Sequence, residues 1–404
     1  MIVLKNNHSA HINFPCGGNG FALLGLTMST RTSPTSRTRG RKPALVSVGR
    51  GGPLVGSFRI GYVPLIDAAP LLVAEALGLF HKHGVTVSLS SELGWGSIRE
   101  KIVYGELEAV HAPGPLLFSI LLGTHARACG VSTDLILNLQ GNAVTLSRRF
   151  WDKGVRDART FKLAVRGASP HQPVFAVVSR FSSHLFLLRQ WLRSAGLDPD
   201  RDVQTIVLPP PLVAEHIKAG QIDGFCAGEP WNSAAALSGD GWIIATSSSL
   251  APRHPEKALL VRTDVLHRQP EGYASLRKAI VEACRFCEAS ENRPTVVDIL
   301  VERFVFPMDR GILENSLVGP FQTGAATLDK AMAFHLFHRF GANRATYERA
   351  TWCLESVLET GVLNADERAR RMCLDAFHDH EGSTLPKLTA LASPDQVVEP
   401  KHEL

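Results

Sequence analysis

The chain has 404 residues, of which 45% are hydrophobic and 20% are charged, an ordinary globular composition. At typical domain sizes this length accommodates two domains plus tails. The formal net charge is +5, but residues 1–57 contain seven basic side chains and no Asp or Glu, so removing those seven charges leaves −2 for the remainder. A nearly neutral body argues against a nucleic-acid-binding core, which would need many phosphate contacts.

The seven cysteines are an odd number scattered along the chain, which is not the pattern of a disulfide framework. Cys284 and Cys287 form a C-x-x-C within a helical pattern and lack a second cysteine pair, so we expect helix packing rather than a zinc site. The sequence contains no run of 18 apolar residues that would span a membrane. The segment FALLGLTM, residues 21–28, is short for a secretory signal and no small-residue cleavage site follows it. We therefore expect a cytoplasmic location, with a periplasmic or inner-membrane-associated one as the alternative.

The first predicted elements begin after a tail, residues 1–57, that we expect to be disordered or misannotated. A strand is predicted at FRIGYVPL, residues 58–65, and a helix follows at AAPLLVAEALGLF, with Asp67 as its N-cap. VTVSLSSEL, residues 85–93, is predicted as the second strand, and the next helix opens directly behind Gly94, Trp95 and Gly96.

Strands and helices continue to alternate further along the chain. The alternation restarts near FKLAVRG and continues through the helices HLFLLRQWLRSAG and LVAEHIKAG, the strands VQTIVLP and IDGFCAG, and finally GWIIATS. This alternation predicts an α/β fold built from parallel βαβ units. We predict that residues 58–146 and 247–377 form lobe 1 with a helical C-terminal part, that residues 147–246 form lobe 2, and that residues 378–404 form a polar tail.

Motifs typical of catalysis are missing. The sequence contains no G-x-S-x-G elbow, P-loop or H-E-x-x-H pair, so we predict no enzyme, no catalytic residue and no metal site. The triplet L-P-P-P-L, residues 208–212, should stiffen the entry to a helix. In G-F-C-A-G-E-P-W-N, residues 224–232, polar and aromatic groups follow a strand, where α/β sheets place their ligand crevices. Glu229 is predicted to hold the Pro230 and Trp231 turn against the other lobe.

Several ordered motifs carry a family resemblance across residues 58–360. They are G-Y-V-P-L-I-D-A-A-P-L, G-W-G-S-I-R-E, L-N-L-Q-G-N-A-V-T, S-S-H-L-F-L-L-R-Q-W-L-R-S-A-G-L-D-P-D, V-L-P-P-P, D-G-F-C-A-G-E-P-W-N and H-P-E-K. Together they resemble the solute-binding proteins of nitrate and bicarbonate ABC transporters, a group that includes cytosolic nitrate and nitrite sensors. The resemblance implies a type II periplasmic-binding-protein fold, in which two doubly wound lobes close over a ligand cleft without catalysis and without a cofactor.

The resemblance also implies which residues bind the ligand. They are Trp95, Gly96, Gln140 or Asn142, His184, Pro210 and Lys257. Of the two amides, Asn142 is preferred and Gln140 is kept in reserve. Hydrogen-bond donors dominate this set and no carboxylate is expected in it, which suits a planar monoanion such as nitrate or nitrite. Lys257 is expected at the rim of the cleft, with its ammonium group near water.

Two cellular roles are compatible with such a site. In the first, the protein senses nitrate or nitrite and holds or releases an RNA-binding antiterminator protein. In the second, it delivers nitrate, or a bicarbonate-type or sulfonate-type solute, to ABC permease and ATPase subunits. The L-N-L-Q-G-N-A-V-T and F-S-S-H segments look more like the sensor branch, so sensing is the first expectation.

Overall fold

The structure, a computed structural model, describes residues 54–124, 126–167, 172–304, 308–328 and 334–379. All of them belong to one compact unit, Ser47–Leu404. The predicted tail up to residue 53, and the predicted C-terminal tail from residue 380, lie outside the described residues.

The strands of the described residues are short and follow the apolar segments of the sequence. They are β1 (Gly56–Tyr62), β2 (Val85–Ser91), β3 (Ala109–Pro113), β4 (Val131–Ser132), β5 (Ile136–Gln140), β6 (Asn142–Ser147), β7 (Val174–Val177), β8 (Gln204–Val207), β9 (Gly224–Gly228), β10 (Gly241–Thr246), β11 (Pro255–Arg262), β12 (Phe321–Gln322), β13 (Thr327–Leu328) and β14 (His335–Leu336).

Helices separate most of these strands, and among the described residues 3₁₀ turns also occur at Ile66–Ala68, Ser290–Asn292 and Arg339–Gly341. The helices are α1 (Ala69–Ala76), α2 (Leu79–Lys82), α3 (Trp95–Val103), α4 (Leu116–Leu121), α5 (Arg148–Asp152), α6 (Ala158–Gly167), α7 (Ser183–Ser194), α8 (Leu212–Lys218), α9 (Trp231–Ser238), α10 (Ser247–Leu250), α11 (Thr263–Arg268), α12 (Pro270–Glu288), α13 (Arg293–Arg303), α14 (Arg310–Leu317), α15 (Tyr347–Glu359) and α16 (Glu367–Asp375).

The main strands form two mixed sheets. The first has the order β14-β5-β11-β3-β1-β2, with β4 also paired to β11, and the second has the order β10-β6-β9-β7-β8. The predicted parallel pairing holds for β1 with β2 and β3, and for β7 with β8 and β9. The antiparallel pairs of these sheets all include β5, β6, β10 or β11. Those strands flank the two places where the chain passes between the sheets, and strand direction there cannot be read from hydrophobic alternation.

The chain crosses from the first sheet to the second at Gly141, between β5 and β6, and returns between β10 and β11. The second sheet therefore begins at Asn142, ahead of the predicted start of lobe 2 at residue 147. The α/β class with two sheets agrees with the expected periplasmic-binding-protein fold. Among the described residues, no helix combines the length and the apolar character needed to cross a membrane.

Two local predictions were wrong. FKLAVRG, predicted to restart the strand alternation, lies in α6, where Phe161 is buried against the rings of Phe150, Phe175 and Trp191 at centroid distances of 5.0, 5.9 and 5.1 Å. The first predicted helix is broken into α1 and α2, because Gly78 adopts φ 67° and ends the first segment.

Candidate functional site

The candidate site lies where the chain crosses from the first sheet to the second. Gln140 and Gly141 have φ values of 63° and 93°, in the left-handed region that favours glycine. A Cβ atom at Gly141 would also lie 2.5 Å from Nδ1 of His335. Glycine is therefore required at residue 141 by both its conformation and its surroundings, and this fixes the position of Asn142 directly after it.

Lys257 lies in β11, in the interior of the first sheet, and its side chain is fully buried. Its Nζ is 2.7 Å from Oδ2 of Asp67 and 2.5 Å from Oε1 of Glu256. Burial alone would lower the pKa of Lys257, but the two carboxylates outweigh burial and raise it above its usual value. The expectation of a lysine at a wet cleft rim was wrong, because the Lys257 side chain is fully buried and both of its carboxylate partners are buried as well.

Glu256 and Lys257 are consecutive, yet both side chains enter the same network. The pairing of β11 with β5 shifts register here: Pro255 pairs with Leu139 and Lys257 with Asn138. Glu256 is thus an additional residue on β11, and such irregularities re-aim side chains that would otherwise alternate between faces. The predicted set contained no carboxylate, and the structure places the Glu256 carboxylate against Lys257 because of this irregularity.

Donors from β6 and from the start of α7 converge on the Glu256 carboxylate. Nδ2 of Asn142 donates to Oε2 at 2.6 Å, the Ser183 hydroxyl donates to the same oxygen, and Nε2 of His184 lies 3.4 Å from Oε1. Nε2 of His184 also donates to Oδ1 of Asn142 at 3.0 Å, because an amide oxygen can only accept. Asn142 begins β6, and Ser183 and His184 begin α7, whose N-terminal end favours negative charge.

Asp67 was predicted as a helix N-cap, and this prediction was wrong. It lies in the 3₁₀ turn Ile66–Ala68, and Ala68 takes the N-cap position of α1 without a side-chain cap. Its Oδ1 is 2.8 Å from Nε2 of His111, and its Oδ2 faces Lys257. Burial alone would raise the pKa of Asp67, but Lys257 and His111 outweigh it and hold the pKa below its usual value.

Trp95 and Gly96 are the first two residues of α3, whereas the sequence predicted that the helix opens behind them. The Trp95 ring is buried, and Nζ of Lys257 lies 5.4 Å from its centroid, within the range of a cation–π contact. Among the described residues, Nε1 of Trp95 has no hydrogen-bond partner. Gly96 lies in the first turn of α3, where backbone N–H groups have no partner within the helix.

The two predicted amides have different surroundings. Asn142 is in the network, whereas the side-chain oxygen of Gln140 accepts a hydrogen bond of 2.8 Å from the backbone N of Arg253, on the returning segment. Pro210 is buried in the turn before α8, where its carbonyl oxygen accepts from Val213 N at 3.4 Å. The structure therefore brings Asn142, His184 and Lys257 together around Glu256, with the Trp95 ring beside Lys257. Gln140 and Pro210 instead form hydrogen bonds with backbone amides outside this network.

His111 and His254 supply donors to this network rather than charge. Burial lowers the pKa of His111 and of His254, against the opposing effects of Asp67 and Glu256. Burial also opposes ionisation of Glu256, but Lys257 and His184 hold its pKa well below its usual value. The ammonium group of Lys257 thus lies between two buried carboxylates, those of Asp67 and Glu256.

Glu229 connects the two lobes through its backbone, as predicted. Its carbonyl oxygen accepts from Ile66 N at 2.9 Å, and its amide donates to the carbonyl of Gly141 at 3.3 Å. Its side chain accepts from Ser233 N at 3.1 Å, and burial raises its pKa to about 7. The Glu229–Pro230 peptide bond is cis.

The described residues contain no group of three or more His, Cys, Asp or Glu side chains arranged to hold a metal ion. Cys284 and Cys287 are buried thiols of α12, and Sγ of Cys284 lies 3.7 Å from the carbonyl oxygen of Leu137. Burial raises the pKa of Cys284 to about 12. Their packing role agrees with the expectation from the sequence.

The sequence analysis missed Asp67, Glu256, His111 and Ser183 as members of the network. A signal existed for two of them. Asp67 follows the carboxyl end of a predicted parallel strand, where α/β folds place ligand sites. Glu256 precedes Lys257 within the H-P-E-K motif itself. The single histidine within β3 and the serine before His184 carried no comparable signal.

Comparisons with known proteins agree with this architecture. The chain is 33% identical over 319 residues to the bicarbonate transport ATP-binding protein CmpC of Synechococcus elongatus, a match that covers 78% of this chain and 47% of that protein. The chain thus spans about half the length of this relative. It is 28% identical over 362 residues to the nitrate/nitrite binding protein NrtA of Synechocystis sp., covering 86% of this chain and 80% of that protein.

The solved structure of the periplasmic nitrate-binding protein NrtA from Synechocystis superposes with a TM-score of 0.74 at 26% identity, covering 79% of this chain and 85% of that one. The model of the NMT1-like family matches residues 51–301. These matches confirm the resemblance inferred from the sequence motifs. The chain belongs to the NMT1-like family.

Proposed function

We propose that the protein binds a small oxyanion, nitrate or nitrite, between its two sheets, in a binding role without catalysis. The observation that carries this proposal is the convergence of Asn142, His184 and Lys257 on one buried carboxylate. A carboxylate and a nitrate ion are both planar and singly charged, with oxygens that only accept hydrogen bonds. Donors that hold the first are therefore suited to the second.

Two further features support an anion at this point. Nε1 of Trp95 is a buried donor without a partner among the described residues, and it belongs to the same cluster through the Lys257 contact. His184 lies in the first turn of α7, where the helix dipole favours negative charge. The relatives whose names mention nitrate or nitrite support this choice of ligand.

Isothermal titration of the protein with nitrate, nitrite and bicarbonate, each with and without calcium, tests the proposal. Charge-assisted hydrogen bonds of about 1.5 to 3 kcal/mol each should give micromolar or tighter binding of nitrate or nitrite. No calcium should be needed, because the donors that would hold the anion all belong to the protein. Binding of bicarbonate alone, or only with calcium, would contradict the assignment.

For the cellular role, we propose nitrate or nitrite sensing in the control of nitrate assimilation, through an RNA-binding antiterminator protein and at a cytoplasmic location. The segments that resemble the sensor branch, L-N-L-Q-G-N-A-V-T and F-S-S-H, contain the crossing and three donors of the site, Asn142, Ser183 and His184. Delivery of nitrate to ABC permease and ATPase subunits is the second candidate, favoured by the similarity to a bicarbonate transport ATP-binding protein.

Fractionation of native cells, followed by purification of the protein with and without nitrate, separates these roles. Recovery from the cytosol with an RNA-binding protein whose association changes with nitrate would support sensing. Recovery from the periplasm or with membrane transporter subunits would support the importer role instead.

A further inference from the structure

The Glu256 carboxylate is bonded to the same donors that the proposed function assigns to an external anion. Lys257, Asn142 and Ser183 contact it directly, and His184 lies 3.4 Å from it. Three of these four residues, Lys257, Asn142 and His184, are those that the family resemblance implied for ligand binding. The anion of this site is thus supplied by the chain itself.

An external oxyanion and Glu256 compete for these donors. Nδ2 of Asn142 has two hydrogens, and they already serve Glu256 at 2.6 Å and the Ser183 hydroxyl at 3.2 Å. Nε2 of His184 has one hydrogen, which serves Asn142. A second buried anion beside the first would add like-charge repulsion and would find these donors taken.

We propose that Glu256 is an internal competitor that sets the affinity of the site: an oxyanion binds only when the Glu256 carboxylate leaves the donors. This inference rests on the proposed function, because it assigns the same donors to nitrate or nitrite. Glu256 determines binding strength without contacting the bound anion.

The surroundings of Glu256 permit this exchange. As the additional residue of β11, it lies outside the regular pairing with β5. Nδ1 of His254, which donates to the carbonyl oxygen of Pro255 at 3.1 Å, is 3.7 Å from Oε2 of Glu256, so the displaced carboxylate has a polar group beside it. His254 is not one of the predicted anion donors, and its ring is held by stacking on Trp352 at a centroid distance of 5.0 Å.

Titration of Glu256→Gln and Glu256→Ala with nitrate and nitrite tests the competition. Removing the competing charge should tighten binding by about tenfold or more, the equivalent of one charge-assisted hydrogen bond. Glu288→Gln is the matched control, since Glu288 is also a buried carboxylate but accepts hydrogen bonds from the backbone of Phe337 and His338. The nitrate affinity of this variant should equal that of the wild type. Unchanged or weaker nitrate binding in both folded Glu256 variants would overturn the inference.

A second measurement does not depend on nitrate. In Glu256→Ala, formate can take the place of the deleted carboxylate, so it should raise the thermal midpoint of this variant and not that of the wild type or of Glu256→Gln, whose side chain keeps the space filled. A folded Glu256→Ala protein that formate does not stabilise would also overturn the inference. If formate stabilises the variant while neither protein binds nitrate or nitrite, the internal anion is established and the proposed ligand is wrong.

Discussion

Glu256 and Lys257 are adjacent residues of β11, and their side chains form a buried ion pair, with Nζ of Lys257 2.5 Å from Oε1 of Glu256. Asp67, in the 3₁₀ turn that follows β1, contacts the same ammonium group, with its Oδ2 2.7 Å from Nζ of Lys257. A strand with regular alternation would have pointed these two neighbours to opposite faces. The pair therefore exists because of the register shift, and it gives Lys257 a structural role besides the binding role proposed above.

The first prediction concerns the stability contributed by Lys257. Lys257→Met leaves two buried carboxylates without their common cation, and breaking a buried pair in this way should lower the free energy of unfolding by about 3 to 5 kcal/mol. Urea denaturation measures the loss, and the exposed Lys278→Met serves as the control with little change. In the double variant Asp67→Asn/Lys257→Met the loss should be smaller than the sum of the two single losses. Strict additivity would show that the pair does not interact.

A second prediction follows from Glu229, whose pKa burial raises to about 7. The folded protein then holds a proton on Glu229 at pH values where the unfolded chain has released it. Stability should accordingly fall as pH rises from about 4.5 to about 7, by up to about 3 kcal/mol for this group.

Glu229→Gln removes this titration, so the pH dependence of the variant should be flatter than that of the wild type over this window. Denaturation midpoints at pH 5 and pH 8 for both proteins provide the measurement. Asp67 and Glu256, whose pKa values are lowered, contribute in the opposite direction at lower pH in both proteins and cancel in the comparison. Parallel curves would mean that Glu229 is ionised throughout.

A third prediction separates the two amides that the sequence left as alternatives. Asn142→Ala removes a donor of the network and should weaken nitrate binding by about tenfold or more. Gln140→Ala removes a side chain that bonds to Arg253 N at 2.8 Å, so nitrate affinity should stay within about threefold of the wild type. Titration calorimetry on both variants, with thermal midpoints as a check of folding, decides between them. A larger effect from Gln140 than from Asn142 would reverse the assignment.

The fold was predictable from the sequence where it depends on local pattern. Apolar segments marked β1, β2 and β9, and Gly94 and Trp95 marked the start of α3 to within two residues. FKLAVRG was mispredicted because its apolar residues are few and its identity as α6 depends on Phe161 packing against three aromatic rings brought from other elements. Such tertiary contacts override local propensity.

Of the candidate site, only the hydrogen-bond donors could be predicted from the sequence. Asn142, His184, Lys257 and Trp95 came from family motifs, and the structure brings them into one cluster. The partners of Lys257 could not be predicted, because Asp67 approaches from 190 positions earlier in the chain and Glu256 enters through a register shift. Both facts concern pairing and packing, and residue periodicity contains no information about either.

The last prediction tests the crossing between the two sheets at Gly141. Its φ of 93° disfavours any residue with a Cβ atom, and that atom would lie 2.5 Å from Nδ1 and 2.7 Å from Cε1 of His335. His335 is itself buried, so its ring has little room to move. Gly141→Ala should therefore lower the free energy of unfolding by about 3 kcal/mol or more, combining backbone strain with overpacking.

Gly154→Ala is the matched control, since Gly154 has φ 85° and an added Cβ would meet nothing within 4 Å. This variant should show the backbone cost alone, about 1 to 2 kcal/mol. The double variant Gly141→Ala/His335→Ala should recover part of the loss, because it removes the clash and keeps the strain. Urea denaturation of the four proteins, wild type included, separates the two contributions. Equal losses in Gly141→Ala and Gly154→Ala would show that His335 does not restrict the crossing and that conformation alone requires glycine there.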